Sequence, residues 1–152
     1  MIEDPAYRRL NGGGTARYVI RLIPMSWPEV NTTGTGPAVF HGDFSLVTVE
    51  KPARAGEWLT LSATGLGPTV PSVDPGKPFP PYAEGKLHLV NSPLEVTVSG
   101  KAAGIRNAIG WPGQSNVFRV DFQVPDGTPA GLALLGLTTA WIAGPEVKIP
   151  IQ

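Results

Sequence analysis

The chain has 152 residues, a length that suits one domain, and its 19 glycines and 17 prolines are about twice the usual combined share. Twelve Lys and Arg balance twelve Asp and Glu, so the charge offers no footprint for DNA, RNA or an anionic membrane. The absence of cysteine excludes disulfides, thiol catalysis and Cys-ligated metals, and no apolar run reaches the length of a membrane span.

Proline recurs so often that the longest stretches without it are 18 residues, at 6–23 and 94–111, and both contain glycines. Inside a helix proline costs roughly 3 kcal/mol and glycine about 1 kcal/mol relative to alanine, so an all-β chain is expected. Residues 1–16 are polar, hold Asn11-Gly12-Gly13-Gly14 and read as a flexible lead-in, which leaves 17–152 as the domain. Weak strands are expected at Arg17–Ile23, Ala38–His41 and Phe44–Val49, the last two separated by a turn signal at Gly42-Asp43. From Trp58 to Ala63 the alternation is strict: Leu59, Leu61 and Ala63 share one face, and Trp58 takes the other. Residues 68–82 carry six prolines and should run as a semi-extended surface connection, with an SH3-type ligand as the alternative.

Further strands are expected at Gly85–Val90, Leu94–Ser99, Ala102–Ile109, Phe118–Val124, Leu132–Trp141 and Glu146–Gln152. Turn signals separate several of them: Ser99-Gly100, Pro112-Gly113 and Pro125-Asp126-Gly127. Alternation in Leu94–Ser99, Phe118–Val124 and Glu146–Gln152 puts apolar residues on one side of a sheet and leaves the other to water. Pro150 marks the last strand as an edge, because proline cannot donate to a ladder. Strands at this spacing predict two antiparallel sheets packed face to face.

Catalytic patterns are sparse. The two histidines, His41 and His88, fall on different predicted strands, and Gly113-Gln114-Ser115-Asn116 lacks the last glycine of a nucleophile elbow. A hydrolytic site assembled in space around His41 and Asp43 stays open as a third reading. Two histidines cannot form a His₃ zinc site, and a loop calcium would fall to Asp74 or Asp126 with backbone carbonyls. No cofactor motif is present, since the glycines at 12–14 precede a strand rather than a helix. Aromatic residues offer more. Trp111, in Gly110-Trp111-Pro112-Gly113, is the best exposed candidate for stacking on a sugar ring, followed by Trp58 and Tyr82.

One ordered block of motifs resembles a known family. It comprises Phe44-Ser45-Leu46-Val47-Thr48, Pro52-Ala53-Arg54-Ala55-Gly56-Glu57 and Ala63-Thr64-Gly65-Leu66-Gly67-Pro68-Thr69. It continues with Val96-Thr97-Val98-Ser99-Gly100-Lys101-Ala102-Ala103 and Val124-Pro125-Asp126-Gly127-Thr128-Pro129-Ala130-Gly131. Over residues 35–152 these resemble the Solibacter-type C-terminal domain of acidobacterial extracellular proteins, and the T-G-L-G element is also similar to IPT/TIG-type domains. The sequence departs from that pattern at Phe118, where a tyrosine is expected, and at Trp141 and Pro145 in the final hairpin. The resemblance implies an Ig-like antiparallel β-sandwich of about eight to ten strands, an extracellular or cell-surface location and no catalytic residues. The start MIEDPAYRRL does not read as a signal peptide, so such a location would imply an excised fragment with an added start or an incomplete gene model; the alternative is a cytoplasmic protein.

The leading expectation is a non-catalytic accessory module for interaction, adhesion or spacing. The alternative is a carbohydrate-binding module using Trp111, Trp58 or Tyr82. Polysaccharide or another surface protein is the expected partner, and the blunted edge at Pro150 favours a monomer.

Overall fold

The computed structural model describes residues 27–82, 85 and 87–152; the lead-in and the Arg17–Ile23 strand lie outside that range. Where prolines and glycines crowd the chain the strands are two residues long: β1 (Glu29–Val30), β2 (Thr32–Thr33), β3 (Gly36–Pro37) and β4 (Val39–Phe40). After β5 (Trp58–Thr64) come the short β6 (Thr69–Val70) and β7 (Leu89–Val90). Then follow β8 (Leu94–Val98), β9 (Lys101–Ala102), β10 (Gly104–Gly110) and β11 (Phe118–Gln123). The chain ends in β12 (Gly131–Thr139), β13 (Ile142–Ala143) and β14 (Val147–Ile151). No α-helix forms among the described residues.

Every ladder between these strands is antiparallel. The larger sheet runs β1-β5-β11-β10-β7-β6 with β4 also on β5, the smaller β13-β12-β8-β9 with β14 on β12, and β2 and β3 form a separate hairpin. Leu59, Leu61, Ala63, Phe118, Val120 and Phe122 of the larger sheet share one core with Val96, Val98, Leu135, Leu137 and Ile149 of the smaller. Burying each Leu or Phe contributes roughly 1.5–3 kcal/mol, so these two inward faces hold the all-β sandwich together. Gly65 and Gly67, with φ of 78° and 85°, let the chain leave β5 through a conformation that residues with a Cβ avoid.

Pro150 sits on β14 opposite Leu132 of β12. Its carbonyl accepts from Ala53 N at 3.0 Å, on the side away from β12, so its missing N–H costs the main ladder nothing.

Several expectations need correction. Phe44–Val49 is not a strand: His41 N donates to Ser45 O (2.8 Å) and Phe44 N to His41 O (2.9 Å), closing a turn that holds Phe44 at φ 66°, and only Leu46 bridges back to Phe40. Among the described residues of Gly85–Val90, only Leu89 and Val90 form a strand. Ala102–Ile109 divides into β9 and β10, with a register slip at Arg106. Leu132–Trp141 ends early, because Ala140 and Trp141 form the turn between β12 and β13, with φ of 50° and 66°.

The proline-rich stretch is more than a surface connection. It supplies β6 to the larger sheet and drives Phe79, 4% exposed, into the core. The Phe79 ring occupies the space that a Cβ on Gly110 would need, and its centroid lies 5.6 Å from that of Phe118.

Candidate functional site

The register of the larger sheet lines up Trp58, Thr60 and Ser62 of β5 with Gln123, Asp121 and Arg119 of β11 on the face opposite the core. Asn107 of β10 stands on the other side of Asp121. Alternation assigns this face to water, yet Thr60 is 6% exposed and Asp121 only 2%.

Asp121 organises the face. Its Oδ1 accepts from Thr60 Oγ1 (2.6 Å) and Arg119 Nε (3.1 Å), and its Oδ2 from Asn107 Nδ2 (2.9 Å) and Arg119 Nη2 (3.3 Å). Four donors use up about all the lone pairs a carboxylate has. Burial alone would raise its pKa; hydrogen bonds from Asn107, Thr60 and Arg119, with the Arg119 charge, outweigh it and hold the carboxyl below its ordinary value. Arg119 is the mirror case: burial opposes its charge, and Asp121 and Tyr82 outweigh that and raise it above its ordinary value. Asp121 is therefore a fixed, saturated carboxylate that orients a guanidinium, with no lone pair left for acid–base work or a metal.

Arg119 collects aromatic side chains from three distant segments. Its Nη1 donates to Tyr82 Oη at 3.1 Å, and its guanidinium carbon lies 5.2 Å from the Phe44 ring centre and 6.0 Å from that of Trp111. Phe40 joins them, with ring centroids 6.3 Å from Phe44 and 6.5 Å from Trp111. Local structure sets each one. Trp111 is fixed where its N–H donates to Val117 O (2.8 Å) across the β10–β11 connection, and Tyr82 follows three residues after the anchored Phe79. Phe44 is turned outward by its left-handed backbone, a conformation costing roughly 1–2 kcal/mol in a residue with a Cβ.

The predicted binding residues divide as follows. Tyr82 is 52% exposed and meets Trp111 at Arg119, whereas Trp111 is half-buried rather than the best exposed aromatic. That place goes to Trp141, 84% exposed on the β12–β13 turn, ahead of Trp27 at 61%. Trp58 lies on the outer face as its parity predicts, half-buried, with the Arg106 guanidinium carbon 4.3 Å from its ring centre. Arg119, Asp121, Asn107 and Thr60 are the residues sequence reasoning missed. The available signal was Arg119-Val120-Asp121, a cation and a carboxylate two apart on one strand face.

His41 and Asp43 both line an open recess of about 700 Å³ with Lys51, Arg54, Glu57 and Gln152, but they are not partners. His41, 7% exposed, places Nδ1 2.6 Å from Glu57 Oε2 and Nε2 2.9 Å from Lys51 O, so both ring nitrogens are engaged. Asp43 instead accepts from Ser45 Oγ (2.6 Å), Ser45 N (3.0 Å) and Lys51 Nζ (3.2 Å), contacts that hold its carboxyl far below the usual range. His88 Nδ1 faces Pro71 O at 2.6 Å. Among the described residues no three His, Asp or Glu side chains converge as metal ligands, and no helix is long and apolar enough to cross a membrane. The chain matches no family model, no curated protein and no solved structure.

Proposed function

We propose that this chain is a non-catalytic accessory domain of a secreted or cell-surface bacterial protein, an Ig-like sandwich of the Solibacter C-terminal type, and that its outer sheet face binds polysaccharide. One observation carries the binding reading: Phe44, Tyr82 and Trp111, far apart in the chain, converge on a guanidinium whose charge a saturated buried carboxylate balances. Rings offer apolar faces to a pyranose, and the guanidinium and the Tyr82 hydroxyl supply oriented donors beside them. Binding needs no cofactor, and with the outer side of β14 already engaged by Ala53 the domain acts as a monomer.

The test is affinity electrophoresis, with tryptophan fluorescence titration, against hydroxyethyl cellulose, xylan, galactomannan and mixed-linkage β-glucan. Retardation by at least one polymer is expected. Tyr82→Phe should weaken it while leaving the thermal midpoint in place, because that hydroxyl belongs to a residue 52% exposed. Silence across the panel refutes the sugar reading and favours a protein-contact or spacer domain. The surface to examine then is Leu132 and Leu134 on the outer face of β12, 65% and 41% exposed.

A further inference from the structure

We infer that the binding face is an elongated track, suited to a linear glycan of several units lying along β11, rather than a pocket for one sugar; this rests on the polysaccharide reading above. The observation is a second pairing of guanidinium and indole on the same face. Arg106 lies 4.3 Å over Trp58, and Trp58 is the register partner of Gln123. Arg119, which carries the first cluster, and Gln123 are both on β11 with side chains on this face. Four residues of extended strand separate the two clusters by about 13 Å, more than one pyranose covers.

The bulge in β10 makes the second cluster possible. Register shifts between Ile105, opposite Phe122 on the core face, and Asn107, opposite Asp121 on the outer face, so Arg106 is the extra residue. Its unpaired position frees the side chain to swing over β11 onto Trp58. Asn107, exposed and fixed on Asp121 at 2.9 Å, presents an amide between the two clusters. The cluster of rings at Arg119, the Asn107 amide and the Arg106–Trp58 pair thus follow one another along a single strand direction.

The test measures affinity against chain length, using glucose to cellohexaose, xylose to xylohexaose and mannose to mannohexaose by calorimetry. The expected result is a rise of about tenfold or more between disaccharide and tetrasaccharide, then a plateau. Trp58→Ala should remove that rise, whereas Tyr82→Phe should weaken every length. Because Trp58 is half-buried, Arg106→Ala is the companion variant; its side chain is exposed, and it should lower tetrasaccharide affinity. A flat length profile that stays sensitive to Tyr82→Phe, or tetrasaccharide binding indifferent to both Trp58→Ala and Arg106→Ala, overturns the track and leaves the single site standing. No binding of any oligomer or parent polymer removes both.

Discussion

Replacing Asp121 with alanine exposes the logic of the outer face. The variant strips the acceptor from Thr60 Oγ1, Asn107 Nδ2 and two nitrogens of Arg119 at once. Breaking a fully buried ion pair costs roughly 3–5 kcal/mol, but the Arg119 side chain is 23% exposed and Asn107 lies at the surface, so both can turn to water. The irreducible part is the buried Thr60 hydroxyl, about 1–2 kcal/mol, to which the partly screened guanidinium adds about 1 kcal/mol. The expected loss is thus about 2–3 kcal/mol, or roughly 5–10 °C in midpoint for a chain of this size. Urea unfolding at pH 7 and in a series down to pH 2 measures it. Asp121 has a lowered value in the folded state, so the unfolded chain binds the extra proton; the contribution is complete above about pH 5 and fades as pH falls below about 4 toward the folded-state value. The gap between wild type and variant should therefore close on acidification. A loss below about 0.5 kcal/mol at pH 7, or a gap unchanged at pH 2, would refute the account.

Other outcomes follow from single residues. Gly110→Ala forces the Phe79 ring out of its slot and should cost about 2–4 kcal/mol in thermal or urea unfolding; because Tyr82 lies just beyond Phe79, polysaccharide retardation should fall with it. The double change Ala140→Asn, Trp141→Gly gives the β12–β13 turn residues that accept positive φ, and differential scanning calorimetry should show a gain of about 1–2 kcal/mol. Phe44→Gly relieves the left-handed strain while deleting a half-exposed ring, so the domain should unfold no earlier yet bind polysaccharide more weakly; the two readouts moving together would show that Phe44 serves packing alone.

The main strands were legible because local alternation and burial agree in them. Leu59, Leu61 and Ala63 predicted β5, and Val96 with Val98, Phe118 to Phe122, and Ile149 with Ile151 did the same for β8, β11 and β14. Expectation failed where one side chain or one dihedral decides. Phe44 carries the β-propensity of a strand residue, but the turn from His41 to Ser45 takes it into the left-handed region. Asp121 has the parity of a solvent-facing residue, and its burial comes from neighbours on other strands. The gathering of Phe44, Tyr82 and Trp111 on Arg119 is a product of sheet order, which spacing along the chain does not encode. Tyr82 in particular depends on Gly110 leaving room for Phe79, a contact between residues 31 positions apart.

The seating of the last strand bears on how the domain carries load. β14 is laced to β12 along one side, and on the other Ala53 N donates to Pro150 O (3.0 Å) while Gln152 N donates to Ala53 O (2.7 Å). A pull along β14 from residue 152 must therefore slide the strand past both neighbours together, loading those hydrogen bonds in parallel rather than unzipping them one after another. Hydrogen bonds on both sides of β14 thus act together as a mechanical clamp on the strand.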